Sequence, residues 1–368
     1  MERGRWIELG LAVALILVIA TVVTGCPPQQ NGAEREEEAR AERDPGPFVE
    51  AWAGSLHAVP VTFAAEEEEC VRCHDGGAFA QGVASPAEID RPTPFGPYVV
   101  ATDCRACHTG QGSRLLQSQE VTIPTTSEPV RAGTGSLCMK CHNERRAGDI
   151  NDPQMRQPHY GPQAGVLTAT GGIRTRGFDI LSTRRHQTVR NACVNCHMAQ
   201  EGGESHSFRP TLPPCRRCHE GLRQIEGLRA KADYDGDGTR EPFVNEVDGL
   251  MSAVASATAR RSGEETFTSA EGRIFFKSDD QTAAAGAVDE ISYLGAYNWF
   301  VVSHDGSRGL HNPYFTVTLL QDTYRAVAGR PLPNARRPQI EEEERGRETT
   351  PSGEATPSGE TQSEETTE

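Results

Sequence analysis

The chain has 368 residues, only 36% of them hydrophobic and 6% aromatic, which is thin for a side-chain core of that size. Its formal net charge of −15, from 52 acidic and 37 basic residues, leaves nothing to neutralise phosphate in bulk and argues against nucleic acid as a partner. Eleven cysteines are present; ten fall into five close pairs and Cys26 stands alone, so no thiol is left over for a disulfide framework in the folded part.

Residues Leu9 to Val23 are almost wholly apolar, follow Arg3 and Arg5, and end in Val23-Thr24-Gly25-Cys26. The run is short for a membrane span and suits the hydrophobic region of a signal peptide. Small residues before a cysteine look like a bacterial lipoprotein cleavage site, so residues 1–25 are expected to be a signal peptide and Cys26 the lipidated first residue; a plain signal peptide with Cys26 incidental is the alternative. Pro27, rather than Asp, follows Cys26, which by likeness to sorted lipoproteins points to the outer membrane. Residues 26–47, with the run Glu34-Arg35-Glu36-Glu37-Glu38, are expected to form an acidic tether. These readings place the protein outside the cytoplasm, lipid-anchored on the periplasmic or outer-membrane side of a bacterial envelope.

Residues 48–225 hold five Cys-x-x-Cys-His motifs: Cys70/Cys73/His74, Cys104/Cys107/His108, Cys138/Cys141/His142, Cys193/Cys196/His197 and Cys215/Cys218/His219. Two thiols separated by two residues can add to the two vinyl groups of one haem, and the histidine that follows then lies under the iron as proximal ligand. Paired cysteines also make zinc sites, but zinc does not require a histidine directly after each pair. With 11 histidines in the chain, five such placements by accident have odds on the order of 10⁻⁸ for independent positions. The expectation is five covalent haem c groups, which would also supply the missing apolar bulk. Successive motifs start 34, 34, 55 and 22 residues apart, too few for a private pocket around each haem, so the haems are expected to pack together and conduct electrons.

Six histidines lie outside the motifs: His57, His159, His186, His206, His304 and His311. Histidine as sixth ligand would keep each haem low-spin and its potential low, whereas methionine would raise it. His57, His159, His186, His206 and His311 are the candidate distal ligands. Asn312 can cap a helix that Pro313 opens, which would aim His311 rigidly. His304, in Ser303-His304-Asp305-Gly306, reads as a turn residue and ranks last.

The stretch from His186 to His219, with Met198, a glycine-rich loop, His206 and a proline between the last two motifs, resembles the fourth and fifth haem region of the pentahaem cytochrome c nitrite reductase family. Pro158-His159-Tyr160 and the ending Asp305 to Pro313 are similar to related multihaem cytochromes, and the likeness spans roughly residues 57 to 325. The resemblance implies a haem-packed region followed by C-terminal helices, often dimeric. The ammonia-forming reductases attach their first haem through a motif ending in lysine and carry a tyrosine just beyond the third motif. Here those places hold His74 and Asn143-Glu144-Arg145-Arg146. With both features missing, an electron carrier serving redox partner proteins is favoured. The alternative is a nitrite- or hydroxylamine-type reductase with one open iron, lined by Arg145, Arg146 or His159. A polymer of stacked cytochromes is a third reading.

Residues 226–337 read as helical. Phe243, Val244, Val247, Leu250, Met251 and Val254 recur at helical spacing, as do Ile291, Leu294, Tyr297 and Val301, and then Phe315, Leu319, Leu320 and Tyr324. The whole is expected to be mainly α with extensive loops. Asp233, Asp235 and Asp237 with Gly236 and Gly238 resemble the start of a calcium loop, although position twelve is Val244 rather than glutamate; an acidic turn that caps the next helix is the competing reading. Residues 338–368, with Glu341 to Glu344 and a doubled Thr-Pro-Ser-Gly-Glu unit, are expected to be a disordered acidic tail.

Overall fold

The computed structural model describes residues 45–91, 99–200, 203–279, 281–284 and 287–339. The signal peptide, Cys26, nearly all of the tether and all but the first two residues of the tail lie outside them. The chain divides into two compact units, Met1–Glu50 and Ala51–Glu368. Of the first, residues 45–50 are described, and they begin a helix, Gly46–Ala53. The second unit is mainly helical with long connecting loops.

The C-terminal part of the second unit is built on three helices: α1 (Phe243–Ser262), α2 (Glu290–Asp305) and α3 (Pro313–Ala328). Each begins or ends where local chemistry requires. Asp289 accepts from Ser292 N (2.7 Å) at the start of α2, and Asn312 accepts from Phe315 N (3.3 Å) at the start of α3, with Pro313 in its first turn. All three stop at a glycine with positive φ: Gly263, Gly306 and Gly329. Eleven of the sixteen residues of α2 and twelve of the sixteen of α3 are buried, and all three helices pack against one another. Leu250, Val254, Leu294, Val301, Phe315, Leu319 and Leu320 fill the space between them, each contributing about 1.5–3 kcal/mol of burial.

A small antiparallel sheet, which helical periodicity did not anticipate, joins α1 to α2. Its strands β1 (Thr266–Ala270), β2 (Arg273–Ser278) and β3 (Gln281–Thr282) lie in sequential order with Phe267 opposite Phe276. Ile274 and Phe276 alternate into the core. The N–H of Ile274 donates to Met155 O (2.8 Å), and Tyr293 of α2 donates its hydroxyl to Arg156 O (2.7 Å). The loop that carries His159 is thereby held to both the sheet and α2.

The motif region is different in kind. Its helices run four to nine residues, too short to persist alone, and its described side-chain core is a small cluster of Val121, Ile123, Ala132, Met139, Ala164 and Ala192. Asn298 of α2 ties this region to the helices. Its amide accepts from Ile173 N (2.7 Å) and donates to Ile173 O and Thr323 Oγ1 (both 2.8 Å).

Candidate functional site: five histidine pairs

Each Cys-x-x-Cys-His motif lies on or at the edge of a single helical turn, within or beside Val71–His74, Cys104–His108, Ser136–Cys141, Cys193–His197 and Leu212–Arg216. A helical turn puts residues three and four apart on one face, so both thiols and the histidine are offered to the same side. None of the ten motif cysteines is joined to another in a disulfide.

Cys218 lies two residues past the end of Leu212–Arg216, in a turn. Beyond Arg216 the helix tightens, Cys218 N donating to Cys215 O (3.2 Å) and His219 N to the same carbonyl (2.9 Å). That shared carbonyl keeps Cys215, Cys218 and His219 within one turn, so the spacing required for a two-thiol anchor is retained.

The fold brings a different non-motif histidine opposite every motif histidine. Ring centroids are separated by 6.0 Å for His74 and His159, 6.1 Å for His108 and His206, and 6.1 Å for His142 and His57. For His197 and His311 the separation is 6.0 Å, and for His219 and His186 it is 6.4 Å. Two in-line metal–imidazole bonds of about 2.0–2.1 Å each, with about 1.1 Å from nitrogen to ring centre, span about 6.3 Å. The residues therefore fit a metal held between two imidazoles at five places. The five partners are His57, His159, His186, His206 and His311.

His304 is the one left over. It lies in the last turn of α2 rather than in the turn that the sequence suggested, with its ring 4.4 Å from Tyr160 and 5.2 Å from Phe300. Helical packing on Phe300 extends α2 by a turn past the point where Ser-His-Asp-Gly looked loop-like.

Several of the paired histidines are fixed through Nδ1, which leaves Nε2 to face its partner. His142 Nδ1 donates to Gln163 Oε1 (3.2 Å), His186 Nδ1 to Leu310 O (2.9 Å), His197 Nδ1 to Phe208 O (3.0 Å) and His311 Nδ1 to Asp305 Oδ1 (2.7 Å). Such outer partners orient a ligand ring and raise its basicity. Burial lowers the pKa of His74, His142, His186 and His197, and takes His57 and His159 down to about 4, helped by His142 and Arg145 respectively. Neutral imidazole is the ligating form. His311 is the exception: burial pulls it down, but the Asp305 carboxylate outweighs that and raises it.

The motifs also converge. The thiols of Cys73 and Cys141 are immediate neighbours, as are those of Cys138 and Cys193. Cys107 is an electrostatic neighbour of Cys138 and Cys141, and Cys196 of Cys215. The third motif thus adjoins the first, second and fourth, and the fifth adjoins the fourth through Cys215. That is a branched chain, and linear spacing alone gave no sign of the branch. Arg145 sits at one junction, donating to Cys73 Sγ (3.2 Å) and Cys141 O (2.9 Å).

Sequence reasoning missed Gln163, Phe208 and Asp305. Gln163 Nε2 also donates to Asp305 O (3.1 Å) and His304 O (3.3 Å), joining the C-terminus of α2 to His142. Asp305 stood in a segment already noted for its likeness to multihaem cytochromes, six residues before His311, and that was the available signal.

Asp233, Asp235 and Asp237 do come together, each offering an oxygen within 4.8 Å of the others. Much of their charge is met by the loop itself: Asp233 accepts from Gly236 N and Gly238 N, and Asp235 from Asp237 N. Buried Glu246 of α1 closes the loop by accepting from Tyr234 N (2.7 Å) and Glu241 N (2.8 Å). Gly249 is required beneath it, since a Cβ there would lie 1.7 Å from Asp235 Oδ2.

Among the described residues no helix is long and apolar enough to cross a membrane. No family model matches the chain, and no curated protein matches it. Among solved structures, the chain is similar to a crystal structure of the outer cell wall cytochrome OcwA, with 18% sequence identity and a TM-score of 0.46, over 75% of this chain and 49% of that one. The chain thus spans about half the length of that cytochrome.

Proposed function

We propose that this protein is an exported pentahaem c-type cytochrome that passes electrons between membrane-linked donors and an external acceptor or reductase. The observation that carries the reading is the pairing of all five motif histidines with five separate histidines at 6.0–6.4 Å. Bound haem c would supply reversible one-electron Fe(III)/Fe(II) chemistry. The motif cysteines would anchor it, the paired histidines would hold it from both faces, and Gln163, Leu310 O, Phe208 O and Asp305 would keep four of those rings aimed. A rigid pair changes little when the charge changes, which favours fast electron passage over chemistry at the metal. The convergence of the motifs supports transfer from one site to the next within the chain.

A reductase of the nitrite or hydroxylamine type needs one open iron. His159 opposite His74 counts against that at the first motif, where Arg145 would otherwise line a pocket. The decisive measurement is made on the purified holoprotein. Haem quantified per chain should be five, and the paramagnetic resonance spectrum of the oxidised protein should contain only low-spin ferric signals. A stoichiometric high-spin signal with nitrite turnover would replace the carrier by the reductase.

The anchor at Cys26, a homo-oligomer and redox partner proteins belong to the same reading. So does calcium at Asp233, Asp235 and Asp237, for which titration calorimetry with calcium is the test.

A further inference from the structure

The fourth motif differs from its two neighbours on the fifth-to-third path in the charge placed behind its ligands. His311, opposite His197, donates Nδ1 to Asp305 at 2.7 Å. The Asp305 side chain is 1% exposed, and among the described residues its ion-pair partner is the His311 ring. Its other oxygen accepts from the Ser307 hydroxyl and from Ser307 N (3.4 Å). Asp305 is also the last residue of α2, where the helix presents its C-terminal carbonyls, those of His304 and Asp305 accepting from the neutral Gln163 amide, and a partial negative charge. The neighbouring sites have neutral outer partners. His142 of the third motif faces the Gln163 amide, with the cationic Arg145 donating to Cys141 O, and His186 of the fifth faces the carbonyl of Leu310.

We infer that Asp305 is a positioning residue that makes the haem of the fourth motif a low-potential step, below both the third-motif and fifth-motif haems. The inference rests on the pentahaem reading above. The reason is electrostatic. Reduction adds one electron to the ferric centre, giving ferrous iron with the ligands unchanged, and so removes one positive charge from beside a buried carboxylate. A fixed negative charge, and a ligand made more basic by a carboxylate, both favour the ferric state. Because the fourth motif adjoins the third and the fifth, such a step would divide the path in two. The fifth haem would lie on one side and the cluster of the first three on the other.

The test is a redox titration of the holoprotein at an optically transparent electrode with dye mediators, with resonance spectra taken at set potentials. Asp305→Asn keeps the shape of the side chain and removes its charge. It should raise one haem wave so that the Fe(III)/Fe(II) ratio at fixed potential falls about tenfold, or about 59 mV for one electron. Asp305→Glu restores the charge and should return that wave most of the way. His311→Met marks the fourth haem, because methionine ligation raises the potential, and the wave it moves should be the one that Asp305→Asn moves. Haem content and spin state are read on the same samples. Five low-spin haems with no wave displaced in Asp305→Asn, or a displaced wave other than the one marked by His311→Met, would overturn the inference while leaving the pentahaem reading intact. Fewer than five haems or a high-spin centre in the unsubstituted protein would overturn the reading itself. If Asp305→Asn fails to mature, the inference stands or falls on the unsubstituted protein, where the wave marked by His311→Met must lie below those of its two neighbours.

Discussion

The ring of Phe208 stands edge-on to that of His57, 4.3 Å between centroids. The same residue is 6.1 Å from the ring of His206, and its carbonyl accepts from His197 Nδ1. One side chain therefore touches the partner rings of the third and second motifs while its backbone orients the fourth. Its φ of 57° is a left-handed conformation that costs a non-glycine residue about 1 kcal/mol, so the surroundings hold it there.

Phe208→Ala should remove the ring and keep the backbone strain. The expected result is a loss of about 1–3 kcal/mol of stability and partial high-spin character at the third-motif haem as His57 loosens. Phe208→Gly should loosen His57 equally but melt higher than Phe208→Ala, because glycine accepts positive φ. Thermal unfolding of the two variants, with resonance spectra, separates the ring from the backbone; equal melting points would remove the strain argument.

His159 and His304 make a matched pair of substitutions, being neighbours in space with different surroundings. His159 lies opposite a motif histidine, whereas His304 packs on Tyr160 and Phe300. His159→Ala should convert one haem in five to high spin and let it bind carbon monoxide when reduced. His304→Ala should leave five low-spin haems and lower the melting temperature by a few degrees. High spin in both variants, or in neither, would rule out His159 as the sole sixth ligand of the first-motif haem.

How far the site could be read in advance follows from the range of each interaction. Cys-x-x-Cys-His is a local signal, complete within one helical turn, and the three long helices announce themselves through apolar spacing at Leu250/Val254, Leu294/Val301 and Phe315/Leu319. The pairing is not local: His57 meets His142, and His108 meets His206, across tens of residues of loop that carry no periodic pattern. The sheet escaped notice because Thr266–Ala270 and Arg273–Ser278 are short and mixed in polarity, and their turn is Glu271-Gly272 rather than a stronger hairpin signal. Asp305 escaped because a buried carboxylate and a helix-capping one look alike until the partner at its far end is known.

Asn298 offers a test of how the motif region is attached to the helices. Its amide satisfies both backbone groups of Ile173 and the Thr323 hydroxyl, all of them buried. Asn298→Ala strands those groups, and each unmet buried group costs about 1–3 kcal/mol. A drop of about 3 kcal/mol or more in the free energy of urea unfolding is expected. Asn298→Asp keeps the acceptor for Ile173 N and loses both donated bonds, so it should also destabilise. A loss below about 1 kcal/mol for the alanine variant would show that water re-satisfies the site.

Glu144 gives the pH dependence. It follows His142 by two residues, is about 1% exposed, and packs against Gly165 and Gly171, where an added Cβ would lie 2.6 and 2.0 Å from its Oε1. Burial raises its pKa from 4.5 to about 8, and the Gly172 N–H and Arg174 offset only part of that. The folded chain thus keeps a proton that the unfolded chain releases above its ordinary value. Stability from this group is fully present below about pH 4.5 and is lost as pH rises towards 8, with a slope of up to about 1.4 kcal/mol per pH unit. Glu144→Gln preserves the shape and cannot ionise, so its urea midpoint should vary less between pH 5 and 8 than that of the unsubstituted protein. The variant should be the more stable of the two at pH 8, where the unsubstituted chain has lost most of the contribution. Parallel profiles for the two proteins would place the carboxyl in water and remove it from the core beside the third motif.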